Sequence, residues 1–356
     1  MSRFFSTKFK NLTPYIPGEQ PQDKKYIKLN TNESPYPPSP KVIEALSTTQ
    51  CSKLNLYSDP TARVLVDKLA EYFLVKRENV FVGNGSDEVL AFAFYAFCDG
   101  DTGMSFPDIT YGFYPVYCNM FNIGYEKIKL NDDFSINTAD YLGSSKNNVT
   151  IANPNAQTGV YLDITEIEKI VAYSKDRVVI IDEAYIDFGG VSAVSLTQKY
   201  DNLIVIGTFS KSRSLAGGRI GYAVANETLI ADLNTMKYSF NPYNLNRLSI
   251  VAAAAAVSDV GYFKNITHSI IKSRNYLEQG LIRRGFTMPK SYANFILAKS
   301  DKMNGGELYK NLRDKGILVR YFSDERISSY VRITVGSREQ IDALLMAIDE
   351  IFAKLK

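Results

Sequence analysis

A chain of 356 residues that is 45% hydrophobic and 22% charged can bury one large core and a smaller one, and is too apolar for a disordered segment. Its 41 basic and 38 acidic side chains leave a net charge of +3, with no arginine-rich stripe, which argues against nucleic acid as a partner. Three scattered cysteines, Cys51, Cys98 and Cys118, fit neither a zinc site nor a disulfide framework, and a single histidine, His268, within an expected long helix, argues against a Ser-His-Asp triad and leaves no two-histidine metal motif.

Residues 1–38, rich in Pro, Asn and Tyr, read as an arm lying on other structure. Arg3, Lys8 and Lys10 without an acid resemble a transit peptide. The apolar region of a secretory signal is missing, however, and Leu12 to Pro17 read as part of the folded protein. With reduced thiols and no apolar run longer than Ile250 to Val257 near a helix core, a cytoplasmic protein is expected.

Pro40 to Leu46 reads as a short helix. Asp59 can cap a second, from about Thr61 to Leu74. Asn79 to Val82 is a strand that enters Gly83-Asn84-Gly85-Ser86-Asp87 and then an apolar helix, Glu88 to Phe97. Gly103 to Phe106 and Ile123 to Leu130 are weaker strands around a tyrosine-rich stretch, Tyr111 to Tyr117. Val149 to Ala152, Val178 to Ile181 and Leu203 to Ile206 are apolar strands, with a helix at Asp163 to Lys175 between the first two. Ile220 to Val224 is another such run. The alternation from 79 to 225 implies a largely parallel sheet with helices on both faces, an α/β three-layer large domain over residues 39–255. A smaller α+β domain is expected over 256–356. It opens with a helix from Asp259 to Arg284 and has strands at Phe295 to Ala298, Leu318 to Tyr321 and Val331 to Val335. Ser337 with Gln340 offers a capping box for its last helix.

The chemistry gathers where parallel strands end, because ligands bind at the carboxyl edge of an open α/β sheet. Lys211 lies in a small-residue turn just past Leu203 to Ile206, with Arg219 eight residues on. A lysine among other cations loses its proton readily and becomes a Schiff-base nucleophile. Gly83 and Gly85 let backbone approach a ligand, and a helix N-terminus there suits either a phosphate or a capping role for Ser86. Asp182, at another strand end, is a ligand contact or an N-cap. Beside a pyridine nitrogen, an ionised Asp182 would hold the ring protonated and make it an electron sink. Tyr185 and Asn155 can reach a phenolic oxygen on such a ring, and Tyr111 can stack on its face. Together these residues describe a pocket for an anionic aldehyde bound through a lysine, which pyridoxal 5′-phosphate fits.

The chain resembles the pyridoxal-phosphate-dependent aminotransferases of fold type I, and among them the histidinol-phosphate aminotransferases. The likeness is carried by Leu29-Asn30-Thr31-Asn32-Glu33-Ser34-Pro35-Tyr36, Tyr57-Ser58-Asp59-Pro60, Gly83 to Glu88, Asp182 to Tyr185, Ser210-Lys211 with Gly217-Gly218-Arg219, and Val331 to Gly336. The resemblance implies that Lys211 carries the cofactor covalently and then moves the α-proton, and that Asp182 pairs with the ring nitrogen. It implies that Tyr185 and Asn155 contact the phenolic oxygen and that Tyr111 stacks on the ring. Gly85, Ser86, Asp87, Thr208, Ser210 and Arg219 would surround the phosphate. Tyr57 would reach the phosphate of a neighbouring subunit, so a homodimer is implied. Tyr15, Asn32, Arg320 and Arg332 would line the substrate side.

The family usually has Asn-Pro-Thr-Gly where this chain has Ala156-Gln157-Thr158-Gly159. Either Asn155 takes over one residue earlier, the favoured reading, or the contact is lost. The implied reaction exchanges an amino group between a phosphorylated amino alcohol, histidinol phosphate, and 2-oxoglutarate. One arginine fork can bind both a carboxylate and a phosphate monoester. The alternatives on the same scaffold are an aromatic or broad-range aminotransferase and a threonine-phosphate decarboxylase. A non-catalytic cofactor-binding regulator would need a DNA-binding module for which the chain has no spare segment.

Overall fold

The computed structural model describes residues 3–9, 12–46, 48–143 and 145–355. Of the basic N-terminal segment, Met1, Ser2, Lys10 and Asn11 lie outside these residues.

Seven strands form the central sheet: β1 (Val80–Gly83), β2 (Met104–Pro107), β3 (Tyr125–Ile128), β4 (Asn148–Ala152), β5 (Val179–Asp182), β6 (Leu203–Thr208) and β7 (Gly221–Ala225), in the order β1-β7-β6-β5-β4-β2-β3. The pairs β6–β5, β5–β4, β4–β2 and β2–β3 are parallel. Only β7 runs against its neighbours, β6 and β1. Near-continuous apolar runs form these strands because both faces are covered. On β6, Ile204 and Ile206 pack with Leu90 and Phe94, whereas Leu203 and Val205 pack with Ile167 and Ile170. The period of two in a strand thus divides one apolar run between two helical layers.

Two helices set the site. α1 (Gly85–Phe97) leaves the end of β1 directly, and Gly85 has the left-handed φ of +80° that starts this abrupt turn. α2 (Tyr114–Phe121) grows out of the tyrosine-rich stretch, where the sequence signalled no helix.

A second, antiparallel sheet contains β8 (Phe286–Thr287), β9 (Phe295–Ser300), β10 (Arg320–Tyr321) and β11 (Tyr330–Thr334), ordered β10-β11-β9-β8. Helix Val260–Ile282 contacts β8 and β9, and helix Arg338–Ala353 contacts Val260–Ile282. The expected border at 255/256 falls within helix Arg247–Ser258, and the chain turns at Asp259. The Ser337–Gln340 capping box forms, with both reciprocal bonds present.

The expected strand from Leu318 to Tyr321 is two strands serving different partners. Arg320–Tyr321 joins the small sheet, while Ile317–Leu318 pairs in parallel with Ile27–Lys28 of the arm. Glu19 adds an ion pair to Arg313 at 2.9 Å and accepts from the Tyr309 hydroxyl at 2.7 Å. No helix among the described residues is long and apolar enough to cross a membrane.

Candidate active site

Sheet register brings the strand ends to one edge. Asp182 closes β5 beside Ile206 of β6, and Lys211 follows two residues after Phe209, where β6 has ended. Between them lies a cavity of about 360 Å³, within the range of small-molecule sites, lined by Ser86, Asp87, Tyr111, Ala156, Asp182, Tyr185, Thr208, Ser210, Lys211 and Arg219. It adjoins a second cavity of about 660 Å³, whose lining includes Tyr15, Asn32, Arg320, Phe322 and Arg332 and again Tyr111, Tyr185 and Lys211. A groove of about 970 Å³ between helices Arg63–Phe73 and Glu227–Phe240 holds none of these residues.

The Lys211 amine donates to the Thr31 carbonyl at 3.1 Å. Burial, helped by the charge of Arg332, pushes it down to about 8, so much of it is neutral at moderately alkaline pH. Asp182 is buried, and burial raises its carboxyl to about 6. The Tyr114 hydroxyl at 2.9 Å and the Ala184 amide at 3.2 Å oppose that rise by hydrogen bonding to the charged form. Asp182 therefore stays largely ionised at neutral pH although it is taken out of water. Tyr114 itself was not legible as a site residue, because a tyrosine in an apolar helix carries no signal of what its hydroxyl meets.

At the other end, Ser86 and Asp87 sit in the first turn of α1, where backbone N–H groups have no helical partner. Asn84, not Ser86, precedes the helix, and no side chain caps it. Asp87 accepts from Tyr111 at 2.7 Å and pairs with Arg219 at 3.0 Å, while Tyr117 donates to its carbonyl at 3.0 Å. A methyl group on Gly85 would lie 2.6 Å from an Arg219 nitrogen. Glycine there makes room for the guanidinium over the helix end. Thr208 and Ser210 bond to each other at 3.1 Å on the same wall.

On the substrate side Arg332 donates to the Ala156 carbonyl at 2.9 Å, and its Nε is buried without a partner. Arg320 donates to the carbonyls of Ile16 and Pro17 at 2.8 and 3.0 Å, so it holds the arm. Tyr15 stacks on Phe113 with ring centres 4.4 Å apart and faces the larger cavity. Tyr57 is 79% exposed, stacks on Tyr243, and lines neither cavity of its own chain.

Asn155 departs from expectation. Its amide donates to the Ile109 carbonyl at 2.9 Å, and its side-chain oxygen accepts from the amides of Gln157 and Thr158. Its oxygen and one amide proton are engaged in shaping its own turn, and Ala156, not Asn155, lines the cavity. The favoured substitution of Asn155 for the usual asparagine is not what the structure builds.

Residues 24–348 match the family model of aminotransferase class I and II. Histidinol-phosphate aminotransferase of Brachyspira hyodysenteriae is 48% identical over 349 residues, covering 98% of each chain. That of Clostridium beijerinckii is 47% identical over 345 residues, covering 97% of this chain and 96% of its own. The chain belongs to the histidinol-phosphate aminotransferase family. A family member from Sinorhizobium meliloti, solved in complex with pyridoxal-5′-phosphate, shares the fold with a TM-score of 0.89 at 22% identity, covering 100% of this chain and 99% of its own.

The family's cofactor, pyridoxal phosphate, fits the smaller cavity on three counts. A buried carboxylate stands at a strand end, a depressed lysine amine faces it, and a glycine-cleared helix N-terminus carries a guanidinium. Gly221 on β7 lies against that helix end: a methyl there would overlap the Ser86 amide nitrogen. Gly221→Ala should displace the first turn of this family member's α1 and weaken cofactor retention by about tenfold or more, a loss of one good charge-assisted hydrogen bond. Equilibrium dialysis against pyridoxal phosphate measures it, and unchanged retention would remove the helix end from the phosphate site.

Proposed function

We propose that this aminotransferase exchanges an amino group between L-histidinol phosphate and 2-oxoglutarate in histidine biosynthesis, in the cytoplasm and as a homodimer in which Tyr57 reaches the neighbouring site. When bound, pyridoxal phosphate supplies an electron-accepting ring that tolerates negative charge developing at the substrate carbon. Lys211 would hold the cofactor and, as a free amine, would serve as base and acid for the proton at that carbon, for which an amine titrating near 8 is well matched. Asp182 holds positive charge at its end of the cavity. Arg219, the α1 amides and Ser210 hold an anion at the other end. Arg332 meets the second anion, the carboxylate of glutamate or the phosphate of histidinol phosphate.

One observation carries the reading: a half-buried lysine, a buried carboxylate and an arginine with an unpartnered Nε converge on adjoining cavities in a chain 48% identical over 98% of its length to a histidinol-phosphate aminotransferase. The test is purified protein offered histidinol phosphate, phenylalanine and threonine phosphate in turn, each with 2-oxoglutarate. Histidinol phosphate should give glutamate with the highest kcat/KM and ping-pong kinetics. Preference for phenylalanine, or carbon dioxide from threonine phosphate, would replace this reading by the corresponding alternative.

A further inference from the structure

The Tyr185 hydroxyl ends a hydrogen-bond chain that runs from the Asn32 backbone through Thr334 and the Asn32 side chain. A backbone N–H can only donate, and that of Asn32 donates to the Thr334 hydroxyl oxygen at 2.9 Å. The Thr334 proton goes to the side-chain oxygen of Asn32 at 3.0 Å, which sets the way round that the Asn32 amide stands. Its Nδ2 then donates to the Tyr185 oxygen at 3.0 Å. Tyr185 accepts in this bond, so its single proton must point elsewhere, and the open side of Tyr185 is the cavity it shares with Lys211 and Ala156.

The chain is held firmly. Asn32 and Thr334 are 1% and 3% exposed, and the Asn32 carbonyl accepts from Asn294 at 3.0 Å. Asn32 adopts φ 55°, a left-handed conformation that Asn and Asp tolerate best among residues with a side chain. Its oxygen and one amide proton are already engaged, which leaves little for a substrate. Ala156 brings no donor to the same wall.

We infer that Asn32 and Thr334 are positioning residues that fix the Tyr185 hydroxyl as a donor into the cofactor cavity, where, with Ala156 beside it, it acts without a neighbouring side-chain amide. The inference rests on the cavity holding pyridoxal phosphate. A donor aimed into the cavity favours negative charge on a bound oxygen and so lowers the proton affinity of the bound cofactor. Lys211, Arg332, Asp182, Asp87 and Tyr15 also face Tyr185 and are unchanged in every variant below.

The experiment is a pH titration of the visible absorbance band of the holoenzyme. In Asn32→Asp the ionised carboxylate can only accept, so Tyr185 must donate to it and the chain reverses. The midpoint should rise by about one pH unit or more. The kcat should fall by about tenfold, with the KM for glutamate within about twofold. Ala156→Asn in that background should bring the midpoint back down. Thr334→Val adds no charge and frees the Asn32 amide to turn, so it should raise the midpoint by about half a unit, and it stands in if Asn32→Asp does not fold. Unchanged midpoints in both variants overturn the inference, and so does a shift in Asn32→Asp alone, which is the effect of the added charge. A wild-type protein that gains no visible band with pyridoxal phosphate overturns the cofactor reading itself.

Discussion

Lys211→Ala should lower transamination by at least about 10⁴-fold, because it removes a nucleophile and a general acid–base at one stroke. No other lysine lines either cavity among the described residues, so nothing nearby can take its place. The amine donates to the Thr31 carbonyl, which holds it across the cavity without neutralising it. Steady-state kcat/KM for histidinol phosphate measures the effect, and a variant retaining more than about one hundredth of the rate would remove Lys211 from the chemistry. The depressed lysine also has a signature in stability. Its folded value, about 8, lies below the ordinary 10.5, so between these values the unfolded chain binds more protons. Its unfavourable contribution is full below about pH 8 and fades as pH rises toward 10.5. In cofactor-free protein Lys211→Met should therefore be stabilising at pH 7, with the advantage shrinking above about pH 8. Denaturant midpoints at the two pH values check this.

Asp182→Asn should cost about 10³-fold in turnover, the scale seen when one fixed electrostatic partner of a developing charge is removed. It should also make cofactor-free protein more stable. Burial raises the carboxyl from 3.8 to about 6, a penalty of about 3 kcal/mol at neutral pH. The sign follows from the proton count: between pH 3.8 and about 6 the folded state binds more protons, so the penalty is absent at low pH and complete above about 6. The stabilisation by Asn should be large at pH 7 and vanish near pH 4. A variant less stable at pH 7 and unimpaired in turnover would make Asp182 a structural residue held by Tyr114. The expected pairing of lost activity with gained stability marks a charge kept in the core for its chemistry.

The strand-end residues were legible because each sits where an apolar run stops at a polar or small residue, a pattern that survives without knowledge of the fold. Lys211, Asp182 and the turn at Gly85 belong to this class, and so does the mainly parallel sheet. Helix Tyr114–Phe121 was not legible: Pro115 in its first turn is its one start signal, no side chain caps it, and the partners of the Tyr114 and Tyr117 hydroxyls show only in three dimensions. Asn155 was misread for a related reason. Spacing places an asparagine near a ligand to within one residue, but the backbone competes for its side chain: here the Gln157 and Thr158 amides hold its oxygen and the Ile109 carbonyl takes an amide proton. Asn32 and Arg320, expected by resemblance on the substrate side, do line the larger cavity, and what the sequence did not show is that their side chains also bond Tyr185 and the carbonyls of the arm.

The parallel pairing of Ile27–Lys28 with Ile317–Leu318 has a mechanical consequence. Together with Glu19 on Arg313 and Tyr309, and Arg320 on Ile16 and Pro17, it couples residues 16–28 to the carboxyl-terminal unit. Order along the chain and order of load are therefore different. Tyr15 stands between the two parts: Arg320 holds the carbonyls of Ile16 and Pro17 beside it, while its ring stacks on Phe113, so the cover over the larger cavity is pinned from both sides. A cut in the chain near residue 20 would be felt as a lesion of the carboxyl-terminal unit, nearly three hundred residues away.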